Sequence, residues 1–410
     1  MIKIERENLE FLAKRHFREY FVEKKCLERL KKLKDNEQNP MQQSFFESIF
    51  NQIEEIITGR PEQLNAIAQD FKVNHPELIR KISRYSYWKR RLKFYRNELE
   101  KVNKKVNKKV NKKVNKLNKE HSSVVHSLQR KELKLEMIIS KIHIYVQETG
   151  GFLGKVNTIF NYKDFRDQYG INKEGQRMWG AYELVKQLKV GVCPYCNRQF
   201  ITVSEPSEDE GGRTRPQLDH FYSQSKFPFF SVSFFNLIPC CYVCNSNLKR
   251  DQEFSIDTHI NPYENSFEDL VQFTVKFKEE KDDEDYLKVW NSNTDLFSID
   301  FKVNELKRAN YNEEEFDNLY KKIEKNRKTF KLKTLYNTHK DYVGEILVKS
   351  RTYNDDKINS LCKEFPELFS TKEDLVRLVY SNYVDSSQFD KRVLAKLTRD
   401  ITEEFGIKYI

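Results

Sequence analysis

Glycine and proline are scarce in this chain, 12 and 10 among 410 residues. Such scarcity argues against many short strands joined by tight turns and favours helices. A long hydrophobic run is also missing. Residues 227–248 carry no charge, but Pro228, Pro239, Asn236, Asn245, Asn247 and three serines interrupt them. A membrane span needs about 20 mostly apolar residues, so none is expected. The opening MIKIERENLEF is charged and lacks the apolar segment of a secretion signal. The expected location is the cytoplasm. No GxxxxGKS/T phosphate loop is present, so nucleotide hydrolysis, if needed, must come from another chain.

Aromatics, in contrast, are plentiful, with 30 Phe and 21 Tyr, which excludes a largely disordered chain. The net charge of +11 is uneven. In residues 1–150, 34 Lys and Arg face 20 Asp and Glu. Beyond residue 150 the balance is −3. A positive field confined to the N-terminal third suits a polyanion such as nucleic acid; a solvated Lys-rich helical surface is the bland alternative.

The pattern divides the chain into three regions. Residues 1–150 read as a basic helical domain, with breaks at Pro61 and Pro76. Within it, 101–116 repeats KVNK four times and reads as an extended basic helix or a helical hairpin arm. Gly150, Gly151 and Gly154 mark a boundary. Residues 151–265 form a central region, and 266–410 read as a helical C-terminal domain. The acidic run at 279–286 reads as a surface loop. The expected fold is mainly α, with a small α+β unit stapled by zinc in the middle.

Five of the seven cysteines fall between 193 and 244. Cys193 and Cys196 form one CxxC pair; Cys241 and Cys244 form another. Each pair can give two thiolates to one tetrahedral ion, and a reducing compartment disfavours disulfides. Cys240 breaks the spacing and is assigned to packing. The 44 residues between the pairs exceed those of a short zinc ribbon, so folded structure must fill them. RQFITV (198–203) and PQLDHFY (216–222) read as the strands of a hairpin. Asp219 and His220 stand at the end of the second. Asn236 follows in FFNLIP, and Asn245 opens a helix through NSNLKRD. His259 reads as a loop residue.

This order resembles the HNH, or ββα-metal, nuclease family over about 70 residues, Gly191 to Pro262. The wording DHF, SKFPF, NLIP and C–x–x–CN is similar to HNH subunits of Septu-type and retron-linked anti-phage defence systems. The resemblance implies a metal-dependent endonuclease acting on DNA (RNA is equally a phosphodiester), with a partner ATPase supplied by another chain. It implies His220 as general base and Asp219 as ligand of a catalytic Mg2+ or Mn2+. It gives Asn236 the bracing of the loop and Asn245 the second oxygen ligand. Cys193, Cys196, Cys241 and Cys244 would hold a structural Zn2+, because thiolates suit zinc and carboxylate and amide oxygens suit magnesium. The family often carries Lys three residues after the Asn245 position. Here Leu248 stands there and Lys249 comes one later. The competing reading is a non-catalytic zinc module that binds nucleic acid or a protein.

Overall fold

The computed structural model describes residues 1–113, 119–173, 175–206, 209, 211–267, 270–278 and 294–409. Among the described residues, seven α-helices and a π-helix, Phe17–Val22, build the first region: α1 Leu9–His16, α2 Cys26–Asn36, α3 Pro40–Asn51, α4 Ile53–Thr58, α5 Pro61–Asn74, α6 Pro76–Lys113 and α7 Lys119–Ile159. Three start on proline, where the missing N–H costs nothing and the fixed φ favours the first turn. Asn39 caps α3 by accepting from the amides of Met41 and Gln42.

α6 and α7, 38 and 41 residues long, form an antiparallel hairpin about 60 Å long. Its root is anchored by aromatic contacts. Phe152 of α7 meets Phe45 edge-on at 5.2 Å, and Phe71 of α5 stacks on Phe229 at 4.6 Å. Farther out, Val102 and Val106 of the repeat are buried against Leu135, flanked by Tyr95, Leu99 and Leu128. The first two repeat valines thus bind one helix of the arm to the other. The last KVNK copy lies largely outside the described residues. The expected glycine boundary is instead the interior of α7. A Cβ on Gly150 would stand 3.1 Å from the Tyr85 hydroxyl, so glycine permits close packing of the two helices.

Two short helices follow, α8 Tyr162–Asp167 and α9 Ala181–Leu188. The central region then forms a ββα unit: β1 Gln217–His220, β2 Leu237–Cys240 and a π-helix Val243–Lys249. β1 and β2 are antiparallel, with Asp219 opposite Ile238 and His220 opposite Leu237. This corrects the expected pairing of β1 with residues 198–203. Within that segment Phe200 makes one isolated bridge, to Val192, and just beyond it Ser204 bridges to Thr214. All four β2 side chains are buried, whereas Phe200 is exposed, so burial selects β2 as the partner.

The C-terminal region is not all helical. β3 Val271–Phe277 and β4 Phe297–Val303 pair antiparallel, and the acidic run at 279–286 lies outside the described residues. Helix Ala395–Glu404 packs on β3: Asp400 accepts from the Phe273 amide at 2.9 Å and Glu404 from the Val275 amide at 3.0 Å. One hydrophobic cluster runs from Met1 to Ile407 and takes residues from all three regions. Among the described residues no helix is long and apolar enough to cross a membrane.

Candidate metal centre and histidine site

Cys193 and Cys196 sit in a tight loop closed by the Asn197 amide on the Cys193 carbonyl at 2.7 Å. Asn197 adopts a left-handed conformation, φ 49°, which asparagine tolerates better than most residues. Its side chain donates to the Phe389 carbonyl and accepts from the Lys396 amide. Cys241 and Cys244 span the turn from β2 into the π-helix, where the Cys244 amide points at the Cys241 sulfur, 3.4 Å away.

The four Sγ atoms lie within 4.8 Å of one another and are buried; Cys196 and Cys241 are 4.0 Å apart. Zinc–sulfur bonds of about 2.3 Å in a tetrahedron require sulfurs about 3.8 Å apart. None of the four is in a disulfide. The cluster therefore fits a metal ion such as zinc. Cys240, buried beside it, is outside the group, as its spacing implies.

The strand and helix beyond the cluster order the remaining polar groups. Side chains alternate along a strand, so Gln217 and Asp219 share one face of β1 and His220 lies on the other. Asp219 is 2% exposed. Its Oδ2 accepts from the Tyr195 hydroxyl at 2.7 Å and its Oδ1 from Lys249 Nζ at 2.9 Å. Lys249 also donates to the His220 carbonyl at 2.6 Å and lies over Phe254. Tyr195 belongs to the first CxxC loop and stacks on Phe330, centroids 4.4 Å apart. The metal cluster thus reaches Asp219 through a single side chain. Composition did not reveal that link, although a tyrosine inside a CxxC loop was its visible signal.

Asn245 does not share a partner with Asp219. Its Nδ2 donates to Gln217 Oε1 at 2.8 Å, beside Ser246 on the same oxygen. The expected cation pair is therefore two separate polar groups, Gln217–Asn245–Ser246 and Asp219–Lys249–Tyr195. The one-residue offset of Lys249 has a physical reason. The Arg250 amide bonds the Asn245 carbonyl, an i→i+5 turn. Such a turn holds more residues than an α turn, so the side chain four places on lies above its starting point. Lys249 and Asn245 consequently face β1 together.

His220 lies across the strand. Its Nε2 is 2.9 Å from the Ser231 carbonyl, and its ring meets Tyr162 edge-on at 4.4 Å. A carbonyl only accepts, so Nε2 carries the proton and Nδ1 keeps the lone pair. Among the described residues Nδ1 has no hydrogen-bond partner. Burial pushes the imidazole down to about 4, against the bond to Ser231 that favours the charged form; it is neutral at pH 7. Asn236 is fully buried and pins the loop between β1 and β2. It accepts from the Tyr222 amide at 2.7 Å and donates to the carbonyls of Tyr222 and Phe230. Ser231, which holds the histidine, follows Phe230 directly. His259 stacks on Phe254 at 3.6 Å and stands outside the cysteine group. No family model, curated protein or solved structure matches this chain.

Proposed function

We propose that the chain is an HNH-type endonuclease that hydrolyses phosphodiester bonds in DNA, the effector of a bacterial anti-phage system licensed by an ATPase on another chain. The observation that carries this reading is the Asn236 brace. Three hydrogen bonds from one buried amide fix the loop whose Ser231 carbonyl holds His220. The held Nε2–H leaves Nδ1 able to take a proton from an attacking water. The order β1, braced loop, β2, helix agrees with the ββα order that the resemblance implies, and a metal on the four thiolates would hold its two ends.

The catalytic cation fits less well. Asp219 has both oxygens engaged, and Lys249 places an ammonium where a divalent ion would bind. As arranged, the Asp219–Asn245 pair does not present a site for Mg2+ or Mn2+; Lys249 must withdraw first. This same feature favours the second reading, a non-catalytic zinc module that binds nucleic acid. Plasmid cleavage with Mg2+ or Mn2+ separates the two. The nuclease reading expects nicking or linearisation that EDTA abolishes and that disappears in His220→Ala. DNA binding without cutting by wild type, alone and with its co-purifying partner, would favour the binding module.

A further inference from the structure

Just upstream of β1 lies a surface the sequence reading did not single out. Arg213 lies over the rings of Tyr169 and Tyr182, 4.5 and 5.2 Å from their centroids. Arg215 lies 5.4 Å over Tyr182 and donates to the Pro216 carbonyl. The two tyrosines meet edge-on at 5.1 Å. Lys163, Arg166 and Lys173 are exposed nearby in sequence. Three acids of the flanking segments are engaged: Asp167 pairs with Arg166, Asp164 with Lys24, and Glu205 with Arg177 and Lys186; Asp209 is exposed four residues before Arg213. Among the described residues neither Arg213 nor Arg215 has a carboxylate partner.

Stacking on tyrosine holds a guanidinium flat and leaves its in-plane N–H donors for a ligand. That fork matches phosphate oxygens bidentately. Tyr162 links this stretch to the histidine: its ring meets His220 edge-on, and its hydroxyl donates to the Leu218 carbonyl at 3.4 Å, three residues past Arg215.

We propose that Arg213 and Arg215, stacked on Tyr169 and Tyr182, form a phosphate-binding shelf that grips the nucleic-acid backbone beside His220. This rests on the reading of the chain as a nucleic-acid enzyme and adds residues that the cysteine and DH motifs do not contain. The arginines position substrate; they take no part in proton transfer.

The test uses the full chain carrying His220→Ala, titrated with fluorescent single- and double-stranded oligonucleotides across a salt series. Adding Arg213→Ala and Arg215→Ala is expected to weaken binding about tenfold and to reduce the salt slope by about two. Arg213→Lys with Arg215→Lys should restore the slope but only part of the affinity, because charge returns without the stacked fork. Unchanged Tm of each variant shows that folding is intact. In the cutting-competent chain the double alanine variant should raise KM more than it lowers kcat. Equal affinity and equal slope in the alanine variant would overturn the shelf, as would loss of a co-purifying protein with nucleic-acid binding intact. If wild type never cuts but the alanine variant still binds weakly, the shelf stands and the hydrolase reading falls.

Discussion

Lys249 and Asp219 are 1% and 2% exposed at the side chain and pair at 2.9 Å. Removing one member of a buried pair strands the other charge, at a cost of about 3–5 kcal/mol. Lys249→Met should therefore destabilise strongly, while Asp219→Asn with Lys249→Met should recover most of the loss. Urea denaturation of the four proteins measures this; additive single losses would deny the coupling. His16 gives a pH-dependent counterpart. It is buried, with Nε2 on the Val232 carbonyl at 2.6 Å and Nδ1 accepting from Trp179 Nε1 at 2.8 Å. Burial lowers it from 6.5 to about 4. Below pH 6.5 the unfolded chain takes up a proton that the folded chain refuses. Stability is fully present above 6.5 and falls as pH drops towards 4, by up to about 3 kcal/mol from this group. Gln can make both hydrogen bonds without titrating, so His16→Gln should flatten the loss between pH 6.5 and 4.5. Identical pH slopes for the two proteins would refute the assignment.

At the level of elements, local chemistry was readable and long-range pairing was not. The two CxxC pairs could be joined from spacing alone because a tetrahedral ion dictates four sulfurs. Asn236 could be assigned to bracing only through the resemblance. The strand partner of β1 was missed because RQFITV has strand composition and lies nearer in sequence than LIPC to the first cysteine pair. Burial, which sequence does not display, chose otherwise. β3 and β4 escaped because their pairing spans residues 278–296, and the contact between Trp179 and His16 is more distant still. The arm was half visible. The repeat suggested a helix, and Val102 and Val106 now have a packing role with Leu135. That outer cluster is separate from the main core. Replacing residues 103–131 by a short Gly-Ser turn should therefore leave the Tm of the body within a few degrees. It should also remove many lysines and flatten the salt dependence of DNA binding. A large fall in Tm would mean that the arm supports the body; an unchanged salt slope would make it a spacer.

For the whole molecule, the central unit is held from both ends of the chain. The Ile2 amide bonds the Pro194 carbonyl and the Ile4 amide the Pro262 carbonyl, at 3.0 and 2.8 Å. From the other end, the Leu394 amide bonds the Asn197 carbonyl, and the Tyr336 hydroxyl bonds the Cys196 carbonyl at 2.6 Å. Phe330 covers Tyr195. Residues that support the first cysteine loop, and with it the Tyr195 that reaches Asp219, thus come from segments more than 100 positions away. A metal ion can order a short loop, but a small unit without its own core needs further support. The isolated segment 186–265 should consequently bind one zinc through its four thiolates yet lack the near-UV signal of fixed aromatics and a cooperative thermal transition. The full chain should show both, and Cys196→Ser should lose the zinc in either context. A sharp, zinc-dependent melt of the segment alone would demonstrate that the cysteines and the ββα unit suffice. The contacts from residues 1–6 and 330–396 would then be attachments rather than part of the site's architecture.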